Sequence, residues 1–254
     1  MKPLHFVEEG QGPMLVLSHA LGLNLNMWDG VAALLARRFT VLRYDHRGHG
    51  GSAGAVEPFS VEDLADDAAR LIASRTEHPV FFVGLSLGGM TAQALAARAP
   101  ELLKGVVIVN SGAFYPDPTP WNQRVERVLS KGVEDIADGA VDRWLTPAFR
   151  ATEIGGAIAT QLRASLVSTD AVAYAAACTA ISKMDLRESN RRISVPTLVI
   201  AGTQDLATPP SMSQEIAAAV PGAQLRSLDV AHISAAEKPA KLAGLIEAFV
   251  DQNL

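Results

Sequence analysis

The chain has 254 residues, a length that allows one large domain or two small ones at roughly 150 residues per domain. Hydrophobic residues make up 48% and charged residues 19%, which excludes a disordered chain. The net charge of −5 argues against nucleic-acid binding and against a polybasic membrane anchor. Cys178 is the only cysteine, so no internal disulfide forms, and no signal peptide or apolar span of about 20 residues is found. We expect a cytoplasmic protein without membrane or nucleic-acid partners.

Short apolar runs alternate with helical patterns along most of the chain. The runs predict six strands, at residues 14–18, 39–44, 80–83, 106–109, 197–201 and 223–228. Continuous apolar strands separated by helices are typical of a mostly parallel sheet that is covered by helices on both faces. The sequence therefore predicts an α/β fold.

Three helices are predicted with clear starts or stops. Ser60 and Asp63 have the spacing of a capping box that opens a helix over residues 61–75, whose apolar positions form one stripe. An alanine-rich helix over 87–99 ends before a proline, and a closing helix covers 238–250. Helices at these places complete the alternation with the strands.

The alternation stops between residues 114 and 192, where the sequence contains no apolar strand. Proline and glycine divide this stretch into helix-like patterns. Its basic and acidic residues balance, so the remainder of the chain carries the whole negative charge. We interpret the stretch as a helical insertion between two strands. The predicted organisation is a core of residues 1–113 and 193–254 with a helical cap at 114–192.

The most informative segment is Gly84-Leu-Ser-Leu-Gly88, which follows a predicted strand and precedes a predicted helix. In that context Gly-x-Ser-x-Gly is the pattern of a nucleophile elbow, a strained turn that exposes a serine. Ser86 then lies at a helix N-terminus, where free N–H groups favour a developing oxyanion. The pattern predicts that Ser86 is a nucleophile. The alternative is a tight turn that only packs.

A serine hydroxyl needs a base, and in this architecture the chain order is serine, acid, histidine. His232 is the only histidine after Ser86, so it is the predicted base. Asp205 follows the predicted strand at 197–201 and is the predicted acid, which orients the ring of His232. Asp229 lies just before His232 and is the rival acid.

Two backbone N–H groups are needed to stabilise an oxyanion in such a site. We expect one from Leu87, the residue after the nucleophile, and the other from Leu21, with Ala20 as the alternative. His19 beside this loop is interpreted as structural. The His-x-x-His pattern at residues 46–49 lies in a glycine-rich loop without a third ligand nearby, so no metal is predicted.

These segments resemble the α/β-hydrolase family over nearly the whole chain, and within it the 3-oxoadipate enol-lactonases. The resemblance rests on Arg43-Tyr-Asp-His-Arg-Gly-His-Gly50, Gly84-Leu-Ser-Leu-Gly-Gly-Met-Thr91, Arg143-Trp-Leu-Thr-Pro-Ala-Phe149, Met184-Asp-Leu-Arg187 and Pro196-Thr-Leu-Val-Ile-Ala-Gly-Thr-Gln-Asp205. The two segments inside the predicted cap are the more specific ones. The chain departs from the lactonases at His19, where they often have asparagine, and at Leu87, where methionine is common.

The resemblance implies an α/β-hydrolase fold and a reaction without a cofactor. In that reaction Ser86 attacks a lactone carbonyl, His232 takes its proton, and water then releases the acid. The implied substrate, 3-oxoadipate enol-lactone, carries a carboxylate, so a cation is expected near the site. Arg143 is the first candidate, with Trp144 as an apolar wall beside it, and Arg124 is the second.

Other functions are compatible with the same motifs. A triad of this kind also serves carboxylesterases and perhydrolases of different specificity, and some proteins that resemble these enzymes and retain the triad act as ligand receptors. For the two arginines, the alternative is a surface ion pair, for example with Asp142 or Glu126. In each case the expected partner is a small molecule, and the expected state is a monomer or small homo-oligomer.

Overall fold

The protein is described by a computed structural model over residues 3–54 and 56–254. Its strands are β1 (Phe6–Glu9), β2 (Met14–Ser18), β3 (Thr40–Tyr44), β4 (Val80–Leu85), β5 (Leu103–Val109), β6 (Thr197–Gly202) and β7 (Gln224–Leu228). They form one sheet in the order β1-β3-β2-β4-β5-β6-β7. β1 is antiparallel to β3, and the other pairings are parallel. The predicted mostly parallel α/β fold is confirmed.

The degree of burial of each strand explains why six of the seven strands could be predicted from the sequence and one could not. Every residue of β4 and β6 is buried, because helices cover both faces of a parallel sheet. These strands therefore have continuous apolar sequences, and all six predicted strands are present. β1 was not predicted, since Phe-Val-Glu-Glu is a half-exposed edge strand without a continuous apolar run.

The helices surround this sheet and also fill the long connection between β5 and β6. They are α1 (Asp29–Leu35), α2 (Val61–Arg75), α3 (Leu87–Arg98), α4 (Thr119–Lys131), α5 (Glu134–Trp144), α6 (Pro147–Arg150), α7 (Glu153–Val167), α8 (Ala171–Lys183), α9 (Arg187–Asn190), α10 (Pro210–Ala219), α11 (Ser234–Glu237) and α12 (Pro239–Asn253). The three predicted helices are α2, α3 and α12.

The start of α2 has the predicted capping box. The hydroxyl of Ser60 accepts a hydrogen bond from the Asp63 N–H at 3.2 Å, and the Asp63 carboxylate accepts the Ser60 N–H at 2.8 Å. Two amide groups at the helix end are thereby satisfied. The predicted apolar stripe of α2 is buried in the hydrophobic core.

The strand order places the functional segments together. β2 has β3 on one side and β4 on the other, so the connections that follow β2 and β4 diverge and leave a crevice at the carboxyl edge of the sheet. The loop after Ser18 and the turn at Ser86 lie at this crevice. Asp205 follows β6 and His232 follows β7, so both reach the same edge.

Residues 114–192, all of which the structure describes, contain α4 to α9 and no strand of the sheet. An isolated bridge between Phe114 and Asp185 closes the base of this segment. The assignment of the segment as a separate cap domain stays a prediction. Within it, Cys178 is fully buried in α8, as expected for a small core residue.

In the described ranges, no single helix is long and apolar enough to cross a bilayer. α7 and α8 satisfy those criteria only as a pair, and that pair is bent by 95°.

Candidate active site

The turn between β4 and α3 has the geometry of a nucleophile elbow. Ser86 has φ 57° and ψ −113°, a left-handed backbone conformation that a side chain makes unfavourable. A Cβ atom on Gly84 would lie 1.9 Å from the carbonyl oxygen of Gly88, and one on Gly88 would lie 2.1 Å from that of Ser18. Both positions therefore require glycine, which is the physical reason for the Gly-x-Ser-x-Gly spacing.

The predicted acid and base are in direct contact. Nδ1 of His232 lies 2.8 Å from Oδ2 of Asp205, and both side chains are buried. This contact leaves Nε2 of the His232 ring to act toward a substrate.

Backbone and side-chain donors surround the Asp205 carboxylate. Oδ1 accepts the N–H groups of Ala207 and Thr208, at 2.8 and 3.0 Å. Oδ2 accepts the amide of Asn110 at 2.9 Å and the hydroxyl of Thr208 at 2.8 Å. Burial acts to raise the pKa of Asp205, but the charge of His232 and these hydrogen bonds outweigh it and lower the pKa to about 2. Asp205 is therefore ionised at neutral pH.

The rival acid, Asp229, is bound to other residues than the base. Its carboxylate accepts hydrogen bonds from Thr203 at 3.2 Å and Gln204 at 2.7 Å, and Lys238 lies 3.8 Å away. The side chain is largely exposed. Of the two carboxylates considered for this role, Asp205 is the one in contact with His232.

Ser86 and His232 line one cavity of about 290 Å³ above the crevice of the sheet. Within the described ranges, the Ser86 hydroxyl has no hydrogen-bond partner. In unliganded enzymes the bond between nucleophile and base is often long and forms fully only with substrate. The structure thus places the predicted serine and histidine on the wall of one cavity, with Asp205 behind the histidine.

Of the two predicted oxyanion donors, Leu21 lines this cavity and Leu87 directly follows Ser86 in the chain. The Leu21 N–H has no acceptor in the part of the chain that the structure describes. Leu87 is the first residue of α3, where an amide has no acceptor within the helix. The alternative donor, the Ala20 N–H, lies 3.2 Å from the sulfur of Met27, so it is engaged elsewhere. This geometry favours Leu21 over Ala20.

Histidines hold the loop that carries Leu21. The Gly22 N–H donates to Nε2 of His49 at 3.2 Å, and the His46 N–H donates to Nε2 of His19 at 2.9 Å. Nδ1 of His19 donates to the Ala20 carbonyl at 2.8 Å. Burial and the neighbouring His49 lower the pKa of His19 to about 3, so the ring is neutral and accepts hydrogen bonds.

Two arginines line the same cavity as Ser86. Arg124 and Arg143 both line it, and no Asp or Glu side chain of the described chain forms an ion pair with either. Asp142, the predicted alternative partner of Arg143, pairs with Arg150 at 2.5 Å instead. Partial burial and the charge of Arg124 lower the pKa of Arg143. Such a pair is suited to bind an anion.

Aromatic side chains complete this end of the cavity. Trp144 lines it as predicted and is buried. The guanidinium of Arg124 lies 4.9 Å from the centre of the Trp121 ring, and Tyr174 lines the same cavity. The contact with Trp121 orients Arg124 without neutralising its charge. The lining of the cavity therefore combines an apolar wall, two cations and the serine.

A sequence model of the alpha/beta hydrolase fold matches residues 13–143, which is more than half of the chain. The chain belongs to the α/β-hydrolase family. The 3-oxoadipate enol-lactonase 2 of Acinetobacter baylyi is 34% identical over 97% of this chain and 92% of its own length.

Solved structures of other α/β-hydrolases superpose closely on this one. The enol-lactonase from Burkholderia xenovorans LB400 has a TM-score of 0.93 and 36% identity, covering 98% of this chain and 96% of that one. A thermophilic esterase from Thermogutta terrifontis, solved with malate bound, has a TM-score of 0.91 and 25% identity, covering 98% and 93%. Because these relatives include lactonases and an esterase, membership of the family does not decide the substrate.

Several residues of this α/β-hydrolase site were missed in the sequence. Asn110 and Thr208 hydrogen-bond to Asp205, and Tyr115 and Tyr174 line the cavity. A polar residue directly after a buried strand, as at Asn110, is a usable signal, because strand ends meet at one edge of the sheet. Nothing in the local sequence distinguishes the two tyrosines from core residues of helices or loops.

Proposed function

We propose that the protein is a serine hydrolase that opens 3-oxoadipate enol-lactone to 3-oxoadipate through an acyl-enzyme on Ser86. The observation that carries this proposal is the pair of arginines, Arg124 and Arg143, which line the cavity of Ser86 without a carboxylate partner in the described chain. The lactone carries one free carboxylate, which supplies the missing partner. The similarity to named enol-lactonases supports the same substrate.

In the proposed reaction, Oγ of Ser86 attacks the lactone carbonyl while Nε2 of His232 takes its proton. The N–H groups of Leu87 and Leu21 stabilise the negative oxygen of the tetrahedral intermediate. The ring C–O bond then breaks, and the leaving enol oxygen receives the proton from His232 before it tautomerises to the ketone. His232 next takes a proton from water, whose oxygen attacks the acyl-enzyme and releases the second carboxylate.

The two arginines explain a preference for an anionic substrate. Each is partly removed from water and lies near the other's positive charge, which disfavours the charged state of Arg143. A bound carboxylate relieves that repulsion and gains charge-assisted hydrogen bonds, each contributing about 1.5 to 3 kcal/mol. Trp144 offers an apolar surface for the lactone ring beside them.

The test compares kcat/KM for 3-oxoadipate enol-lactone with kcat/KM for p-nitrophenyl acetate, a small neutral ester. We expect wild-type protein to prefer the lactone strongly. Arg143→Ala and Arg124→Ala should each lower kcat/KM for the lactone by about 10- to 100-fold and change the ester rate little. Arg150→Ala is the matched control, because Arg150 is a cap arginine already paired with Asp142.

The outcomes separate the proposed substrate from the reaction class. Equal or faster turnover of the neutral ester by wild-type protein contradicts the lactonase proposal and leaves a carboxylesterase or perhydrolase. If both arginine variants still prefer the lactone, the carboxylate of the substrate binds to residues other than Arg124 and Arg143. Binding of the lactone without turnover indicates a receptor. The cytoplasmic location and the monomeric or small oligomeric state stay predictions.

A further inference from the structure

Glu237 is a buried carboxylate that the proposed reaction does not use. It ends α11, shortly after His232 in the chain, and its side chain is only 8% exposed. Within the ranges that the structure describes, no lysine, arginine or histidine forms an ion pair with it. A charge in such a place destabilises a protein unless several donors compensate its lost hydration.

Three donors surround Glu237, and they come from two separate parts of the fold. Oε1 accepts the hydroxyl of Thr146 at 2.5 Å, and Oε2 accepts the Thr146 N–H at 3.1 Å. Oε2 also accepts the Ala231 N–H at 3.2 Å. Thr146 belongs to the predicted cap, whereas Ala231 directly precedes His232. One carboxylate thus joins the cap to the loop of the predicted base.

A second bond fixes the other side of the histidine. The Ile233 N–H donates to the carbonyl of Trp144 at 2.9 Å. The backbone is therefore held immediately before His232 by Glu237 and immediately after it by Trp144. Since Arg143 adjoins Trp144 in the chain, the same short segment carries the cation proposed to bind substrate.

We propose that Glu237 is a positioning residue that holds His232 in register with the cap wall formed by Arg143 and Trp144. The proposal rests on the proposed function, because it takes His232 as the catalytic base. A base on a loop must stay within a fraction of an ångström of its productive position, and a displacement of about 1 Å can lower the rate about 100-fold. Glu237 supplies that constraint through Ala231 and Thr146.

The test measures kcat per active site, with active sites counted by covalent labelling of the serine with a fluorophosphonate. We expect Glu237→Ala to lower kcat per labelled site by about 10- to 100-fold for the lactone and for p-nitrophenyl acetate alike. Glu237→Gln should retain most of kcat, because its amide oxygen still accepts both N–H groups and its amide nitrogen donates to the Thr146 hydroxyl. A merely structural role lowers the labelled fraction and leaves the rate per labelled site unchanged.

A second pair of variants keeps the test decisive if Glu237→Ala does not fold. Thr146→Val removes the hydroxyl bond to Glu237 and should lower kcat per labelled site, whereas Thr146→Ser should restore it. Asn190→Ala is the control for the loss of a buried hydrogen bond. The amide of Asn190 donates to Oε1 of Gln93 at 2.8 Å, and neither residue belongs to the loop of His232. It should lower thermal stability and leave kcat per labelled site unchanged.

Two different failures are distinguishable. If Glu237→Ala keeps the wild-type kcat per labelled site, the role of Glu237 is overturned and the proposed function is not. If Glu237→Ala does not fold, the same result in Thr146→Val overturns that role. Wild-type protein that neither takes the label nor hydrolyses either substrate overturns the proposed function, and the role of Glu237 with it.

Discussion

The side chains of Asn110 and Asp205 are joined by a 2.9 Å hydrogen bond from the amide nitrogen to Oδ2. The same carboxylate oxygen faces Nδ1 of His232 at 2.8 Å. Oδ1 of Asn110 accepts the hydroxyl of Ser234, which fixes the orientation of the amide group. Asn110 has φ 45°, a left-handed conformation that asparagine tolerates better than most residues. Asn110 therefore orients the carboxylate that orients the histidine.

Substitutions at Asn110 should separate this hydrogen bond from the backbone strain. Asn110→Gly and Asn110→Ala both remove the bond to Asp205 and should lower kcat for p-nitrophenyl acetate by about 10-fold. Alanine has a Cβ atom, which makes the left-handed conformation at position 110 unfavourable, whereas glycine has none. The unfolding free energy of Asn110→Ala in urea should therefore be about 1 to 2 kcal/mol lower than that of Asn110→Gly. Wild-type kcat in Asn110→Gly contradicts the orienting role.

The pKa of Asp205 predicts how stability depends on acid pH. Its folded-state pKa of about 2 lies below its ordinary value, so the folded protein binds the proton less readily than the unfolded chain. The resulting stabilisation, on the order of 2 kcal/mol, is fully present above about pH 4 and is lost as the pH falls toward 2.

This pH dependence is measured by urea unfolding of wild-type protein and Asp205→Asn between pH 7 and pH 2. The difference in unfolding free energy should shrink as the pH falls from about 4 toward 2. Asp229→Asn is the control. The carboxylate of Asp229 is exposed, so solvent screens its interactions and they stabilise the fold far less than those of Asp205. A difference for Asp205→Asn that does not change with pH contradicts the lowered pKa.

The sequence predicted what depends on local pattern and chain order. The elbow at Ser86 was predictable because it leaves no room for side chains at positions 84 and 88. The contact between Asp205 and His232 was predictable because each residue follows a strand, and parallel strands end at one edge. For these residues, spacing along the chain determines position in space.

Contacts between distant segments were not predictable in this way. Glu237 meets Thr146 across 91 positions of sequence, and Asn110 meets Asp205 across 95. No periodicity or motif encodes such a pairing, because it depends on how the cap segment docks on the core. The sequence marked Arg143 as a candidate cation, but only the fold brings it to the cavity and pairs Asp142 with Arg150 instead.

Gly88→Ala should show that the elbow is sterically required. The added Cβ lies 2.1 Å from the Ser18 carbonyl oxygen, so α3 or β2 must move. We expect a loss of at least about 3 kcal/mol of unfolding free energy and a large loss of activity. Gly244→Ala is the control, because nothing lies within 4 Å of that added carbon in α12, and it should raise stability by about 0.5 to 1 kcal/mol. Equal stability of the two variants contradicts the steric argument.

Ser18 and His46 form a serine–histidine contact outside the residues that line the cavity, which gives a sharp test of the nucleophile. Oγ of Ser18 lies 3.0 Å from Nε2 of His46, but it also lies 2.9 Å from the hydroxyl of Tyr44 and is fully buried. A substrate carbonyl cannot reach it, whereas Ser86 lines the cavity.

Ser86→Ala should therefore lower kcat by about 10⁴-fold or more, while its unfolding free energy stays close to that of the wild type or rises, because the left-handed turn keeps a small side chain. Ser18→Ala should retain most of kcat and still take one fluorophosphonate per chain. Mass spectrometry of the labelled wild-type protein should place the adduct on Ser86. An adduct on Ser18, or full activity in Ser86→Ala, would contradict the assignment, because the buried contact would then have to open for a substrate during each turnover.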